Sequence, residues 1–99
     1  MSYKVQVTSV KPANAKWFNE VDPTRFESYK IWVNTLSGLV ISQTNKKPDA
    51  NTIIRTYEFV NEDAYKAYVA AHNSNTDDQL RQAHNNTNGI TTTFKLLNA

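Results

Sequence analysis

The hydrophobic pattern of this chain changes period in a definite order: two, then 3.6, then two in successive stretches, then 3.6, then two again. That order leaves few topologies open. Its clearest stretch is residues 52–60, where Ile53, Arg55, Tyr57 and Phe59 fall on one face and Ile54, Thr56, Glu58 and Val60 on the other. Residues 3–10 alternate likewise, with Tyr3, Val5 and Val7 opposed to Lys4, Gln6 and Thr8. Residues 39–43 read as a short strand, and residues 45–51, rich in Asn, Lys, Pro and Asp, as the turn that joins it to the next. Residues 90–97 close the chain as a strand, with Ile90, Phe94 and Leu96 opposed to Thr91, Thr93 and Lys95.

Two helical stretches lie between the strands. The first begins at Asp22-Pro23-Thr24, either with Asp22 as cap and Pro23 at the first helical position or with Thr24 and Glu27 as a capping box. Phe26, Tyr29, Val33 and Leu36 form its stripe, Trp32 borders it, and Gly38 stands where a left-handed residue closes many helices. The second begins at Asn61 and carries Ala64, Tyr65, Tyr68, Val69 and His72 on one side. It breaks at Asn73-Ser74-Asn75. A capping box at Thr76 and Gln79 then starts a shorter piece with Leu80, Ala83 and His84 inward.

The order is therefore βαββαβ, which predicts an α+β ferredoxin-like domain spanning residues 1–99: a four-stranded antiparallel sheet with its helices on one face. The other face would carry Gln6, Thr8, Val10, Ile54, Thr56 and Val60, together with Thr91, Thr93 and Leu97. That set is too apolar for a solvated face and too polar for a core. Burial against a second copy, a homodimer through the open sheet face, is the expected solution.

The residues exclude several chemistries. There is no Cys, so disulfides, thiolate zinc sites and thiol nucleophiles are absent. There is no nucleophile elbow, Gly-rich phosphate loop or paired-carboxylate motif, which argues against hydrolases and nucleotide enzymes. No cofactor is expected. The two His are not spaced as a zinc pair, so no metal is expected either. No apolar run approaches the roughly 20 residues of a membrane helix and no secretory leader opens the sequence, so the expectation is a cytoplasmic protein without membrane partners. With 11 Lys and Arg against 9 Asp and Glu, scattered apart from Lys46-Lys47, the charge is a weak nucleic-acid footprint.

The segment from Arg55 to Tyr68, with the aromatic-Glu pair Tyr57-Glu58 near the end of a strand and spaced aromatic residues in the helix after it, resembles the dimeric α/β-barrel superfamily of antibiotic-biosynthesis monooxygenase-like proteins. The element order extends the likeness over nearly the whole chain. The resemblance implies homodimers whose sheets pack as a barrel, with a cavity between helices and sheet in each subunit. Such relatives include cofactor-free oxygenases, haem-degrading enzymes and isomerases. Several carry a His in the helix about where this chain has Tyr68; the nearest His here is His72, one turn later. RNA-recognition motifs share the element order, but Thr56 and Glu58 stand at their glycine positions, Glu62 at the final aromatic position, and Gln6 where a base-stacking ring is expected. No nucleic-acid partner is expected.

Arg55 is the most informative position, a guanidinium mid-strand on an apolar face. It requires a salt bridge to Glu58 or a helix carboxylate, an escape to the sheet edge, or an acidic ligand. In the last case Arg55 anchors the acid while Trp32, Tyr57 and Phe59 cover its apolar body. His72 is either a packed neutral imidazole or a general base, with Tyr68 or Tyr29 orienting a substrate. The expected partner is a small apolar or acidic molecule; cofactor-independent oxygenase or isomerase chemistry is the alternative.

Overall fold

The computed structural model describes residues 2–98, so Met1 and Ala99 lie outside the described residues. The elements run β1 (Tyr3–Val10), α1 (Phe18–Val21), α2 (Pro23–Asn34), β2 (Val40–Asp49), β3 (Thr52–Phe59), α3 (Glu62–Asn73), α4 (Thr76–Thr87) and β4 (Thr91–Leu96), with a 3-10 turn at Ser37–Leu39. The strands form one sheet in the order β2-β3-β1-β4, every neighbouring pair antiparallel. This is the ferredoxin-like α+β arrangement that the periodicity implied.

The register sets the faces. Tyr3 lies opposite Phe59, Val5 opposite Tyr57 and Leu96, Val7 opposite Arg55 and Phe94, and Ser9 opposite Ile53 and Thr92. Toward one end of the sheet Val5, Phe59, Ala64 and Tyr68 make the core, with Phe59 only 1% exposed. Toward the other, Phe18, Ile53 and Ile90 are buried. Between these ends runs a row straight across the sheet, Asn45, Arg55, Val7 and Phe94, which no helix side chain covers tightly. The fold is closed at both ends of this face and open in the middle.

Several boundaries differ from the sequence reading. Asp22, not Thr24, caps α2, its carboxylate accepting from Arg25 N at 3.1 Å with Pro23 in the first turn. The helix stops at Asn34, because Thr35 donates both its hydroxyl (2.6 Å) and its N–H (2.9 Å) to Trp32 O. Gly38 therefore closes nothing and sits in the 3-10 turn; the left-handed glycine is Gly89, at φ 70°. The segment 45–51 is mostly strand: β2 runs to Asp49, with register breaks after Val40 and after Lys46. Pro48 is tolerated because β2 is an edge strand and lies at the second break. The tight turn is confined to residues 50–51, where Asp49 accepts from Asn51 N at 2.8 Å.

Further expectations for α4 and β4 are corrected. Asn75, one residue before Thr76, caps α4, and α4 is as long as α3 rather than shorter. Its inward residues are Asp78, Arg81 and Asn85; Leu80 is 41% exposed and Ala83 faces solvent. Phe94 and Leu96 were expected beneath the helices, yet Phe94 is 62% exposed. The helical layer stands over β1 and β3, and β4 is an edge strand exposed throughout its length. The open sheet face carries Val10, Val60 and Leu97, each at least 40% exposed, around half-buried Gln6, Thr8, Ile54 and Thr56. Among the described residues no helix is long and apolar enough to cross a membrane.

Candidate functional site

The gap between the helices and the middle of the sheet is a cavity of about 1020 Å³. Its floor is Val7, Arg55 and Tyr57; Tyr29 comes from α2, Tyr68 and His72 from α3, and Arg81 from α4. That volume is at the upper end of what ordinary small-molecule sites enclose.

One wall is aromatic. Tyr57 stacks on Phe59 with ring centroids 5.8 Å apart, Phe59 meets Tyr68 edge-on at 5.2 Å, and Tyr68 lies 4.3 Å from the His72 ring. Trp32 reaches this cluster only from behind: its ring meets His72 edge-on at 5.0 Å and it does not line the cavity. Tyr29, Tyr57, Tyr68 and His72 are thus gathered at the cavity, Phe59 lines it from the core end, and Trp32 backs the imidazole.

His72 is held at both nitrogens. Nδ1 donates to Tyr68 O at 2.9 Å, one turn back on α3, which leaves the Nε2 lone pair to accept from the Tyr29 hydroxyl at 3.1 Å. Burial lowers its pKa from the ordinary 6.5, against the opposing pull of the Tyr68 carbonyl. Burial likewise pushes the Tyr29 phenol up to about 12 and raises Tyr57 and Tyr68, so these hydroxyls are neutral donors near neutral pH. In the unfolded chain His72 takes up a proton around pH 6.5, whereas the folded chain resists it until lower pH. Stability present above pH 6.5 is therefore lost as the pH falls toward the folded value, with a slope of at most about 1.4 kcal/mol per pH unit. Thermal unfolding followed by circular dichroism at pH 7.5 and 5 is expected to show a smaller acid-induced fall of Tm in His72→Gln than in the wild type. Equal falls would remove His72 from this behaviour.

The other wall is charged and was not read from the sequence. Asp78 is fully buried and accepts from Arg81 Nε at 2.8 Å and Nη2 at 2.7 Å, and from Gln82 Nε2. The Arg81 guanidinium in turn lies over the Tyr29 ring, 5.4 Å from its centroid. An Asp and an Arg three residues apart on a helix were the available signal. His84 is turned away from this wall, with Nε2 donating to Lys16 O at 2.7 Å.

Arg55 has no such partner. Among the described residues no carboxylate lies within 4 Å of its guanidinium. Glu58 is excluded by register: it pairs with Lys4 and Ser42 on the opposite face of the sheet. Arg55 is half-buried on the cavity floor with its charge unmatched. Among the described residues, no three His, Asp or Glu side chains gather as a metal site. The arrangement suits a molecule with an apolar body against the aromatic wall and an anionic group on Arg55.

No known protein-family profile and no curated protein matches the chain. Solved structures do. A dimeric ferredoxin-like protein from an uncultured marine organism is 13% identical with a TM-score of 0.61, the match covering 100% of this chain and 98% of that one. SnoaB, a cofactor-independent oxygenase from Streptomyces nogalater, is 12% identical with a TM-score of 0.55, over 100% of this chain and 94% of that one. A monooxygenase from the gene ActVA-Orf6 of Streptomyces coelicolor, solved in complex with Nanaomycin D, is 16% identical with a TM-score of 0.58, over 98% and 88%. The chain shares the ferredoxin-like fold of these proteins, in agreement with the resemblance carried by residues 55–68.

Proposed function

We propose that this protein is a homodimeric small-molecule-binding protein whose cavity takes a hydrophobic carboxylic acid. The observation that carries the reading is Arg55, an unmatched guanidinium on the floor of an aromatic cavity. A carboxylate meets it in bidentate fashion, and Tyr57, Tyr68 and Phe59 supply apolar area for the rest of the ligand. Protein purified gently and then denatured should release a hydrophobic acid detectable by mass spectrometry, and titration with dodecanoate should saturate at one molecule per chain. Failure of both would overturn the reading.

The dimer is the second part of the proposal. The open face exposes Val10 near Ile54 at one end of the sheet and Val60 near Leu97 at the other, apolar surface that a two-fold axis covers with no other partner. The fold is also that of a protein described as dimeric. Sedimentation at micromolar concentration should give a dimer in the wild type and a folded monomer in Ile54→Lys, where a charge would be desolvated in the contact. A wild-type monomer sinks this half.

The Tyr29–His72 pair supports a second reading, cofactor-independent oxygenase or isomerase chemistry. Because Tyr29 occupies Nε2, a substrate proton reaches His72 through the Tyr29 oxygen, which gives up its own proton as it receives one. Tyr29→Phe and His72→Ala should then abolish oxygen uptake with a polycyclic phenol to the same extent. Turnover surviving either substitution would end this reading.

A further inference from the structure

A smaller recess of about 260 Å³ adjoins the main cavity and shares Ser9, Lys30, Asn45, Arg55 and Arg81 with it. Its own walls add Trp17, Phe18, Asn19 and Lys47. Among the described residues four basic side chains line this recess, Lys30, Lys47, Arg55 and Arg81, and no carboxylate does. Two of the four are matched from outside: Lys30 Nζ lies 3.1 Å from Glu27, and Arg81 is held by Asp78. Lys47 and Arg55 have no carboxylate within 4 Å among the described residues. They come from adjacent strands and face the same space. Neutral donors stand beside them. Asn45, in register with Arg55, takes a hydrogen bond on Oδ1 from Gln43 at 3.1 Å, which leaves its own N–H groups to give.

We infer that, beyond a carboxylic acid, the site takes a doubly charged head group in preference: a phosphate monoester on an apolar body, seated in the recess between Arg55 and Lys47 while the apolar body lies against the aromatic wall of the main cavity. The inference rests on the acid-binding reading above and goes beyond it in the charge and geometry of the head. A carboxylate uses one cation in bidentate fashion and leaves the other unmatched. A phosphate monoester carries close to two charges at neutral pH and three terminal oxygens, enough for both cations and the amide of Asn45 together.

The test compares dodecyl phosphate with dodecanoate, below their micellar concentrations, by titration calorimetry at pH 8 and pH 5.5 on wild-type protein and on Lys47→Gln. Wild type is expected to bind dodecyl phosphate about tenfold more tightly than dodecanoate at pH 8. The preference should shrink to about threefold or less at pH 5.5, because the second phosphate ionisation lies near 6. Among the described residues the charged side chains facing the recess are Lys30, Lys47, Arg55 and Arg81, with Glu27 paired to Lys30 and Asp78 to Arg81. His84, which packs against Phe18 at 5.8 Å, and His72 in the main cavity are present in both proteins, so the ratio at each pH is read for wild type and Lys47→Gln side by side. Lys47→Gln should lose about tenfold for the phosphate and less than about twofold for dodecanoate. Equal affinities at pH 8, or equal losses for both ligands in Lys47→Gln, would overturn the dianion inference while leaving the acid-binding reading standing. Binding of neither ligand would overturn both.

Discussion

Asp78→Ala is expected to destabilise the protein by about 3–5 kcal/mol, the range seen when one member of a buried ion pair is removed. The carboxylate is completely buried and both guanidinium contacts, as well as that of Gln82, end on it. Removing it leaves Arg81, whose side chain is 23% exposed, with a largely buried charge and no other carboxylate within 4 Å among the described residues. On a domain of this size each kcal/mol corresponds to about 4–8 °C in Tm, so the variant should melt far below the wild type. The cost belongs to the orphaned charge rather than to a net benefit of the pair. The double variant Asp78→Leu with Arg81→Leu should therefore recover most of the loss. Urea unfolding of the three proteins decides it: a single-variant cost under about 1 kcal/mol, or a double variant worse than the single, would contradict this account. The double variant also frees the Tyr29 ring from the cation above it, so hydrogen bonding to His72 should loosen even where stability returns.

That pair shows why part of the site was hidden. In α4 the apolar residues are Leu80 and Ala83, and a pattern argument places them inward. The helix instead turns Asp78, Arg81 and Asn85 to the cavity, because a polar cavity wall reverses the usual sense of an amphipathic helix. Periodicity reports which residues share a face, never whether that face meets a core or a binding space. The same limit applies to Phe94. Alternation assigned it correctly to the helix side of the sheet, but only strand order reveals that β4 is an edge beyond the helical layer.

Where sequence reasoning worked, it worked because tertiary context and local pattern agreed. Residues 3–10 and 52–60 alternate cleanly, and their register fixes Arg55 beside Val7 on the cavity floor. The stripe of Tyr65, Tyr68, Val69 and His72 pointed at the sheet, and the structure joins His72 to Tyr29 across α2 and α3. Segment 45–51 failed for the opposite reason. Its composition is that of a turn, yet as an edge strand it pairs on one side only, so polar residues and Pro48 cost little there.

Arg55→Met should separate the folding role of this position from its binding role, because the two are expected to move in opposite directions. Methionine keeps an unbranched stem against Val7 and Asn45 while removing the charge. In the free protein no carboxylate among the described residues repays the partial desolvation of the guanidinium, so its removal should stabilise the fold by about 1 kcal/mol, a rise of roughly 4–8 °C in Tm. Against dodecanoate the same change should cost about 2–4 kcal/mol, roughly a 30- to 700-fold loss of affinity, because a charge-assisted bidentate contact disappears and the carboxylate is left facing neutral groups. Arg55→Lys keeps the charge but not the planar fork, and should fall between, at about a tenfold loss. Binding residues held ready for a ligand commonly carry this exchange of stability for function. A structural Arg55, packed for the fold alone, would behave otherwise: Arg55→Met would lower Tm and leave dodecanoate affinity unchanged. Observing that pair of results would remove the anchor on which the functional reading stands.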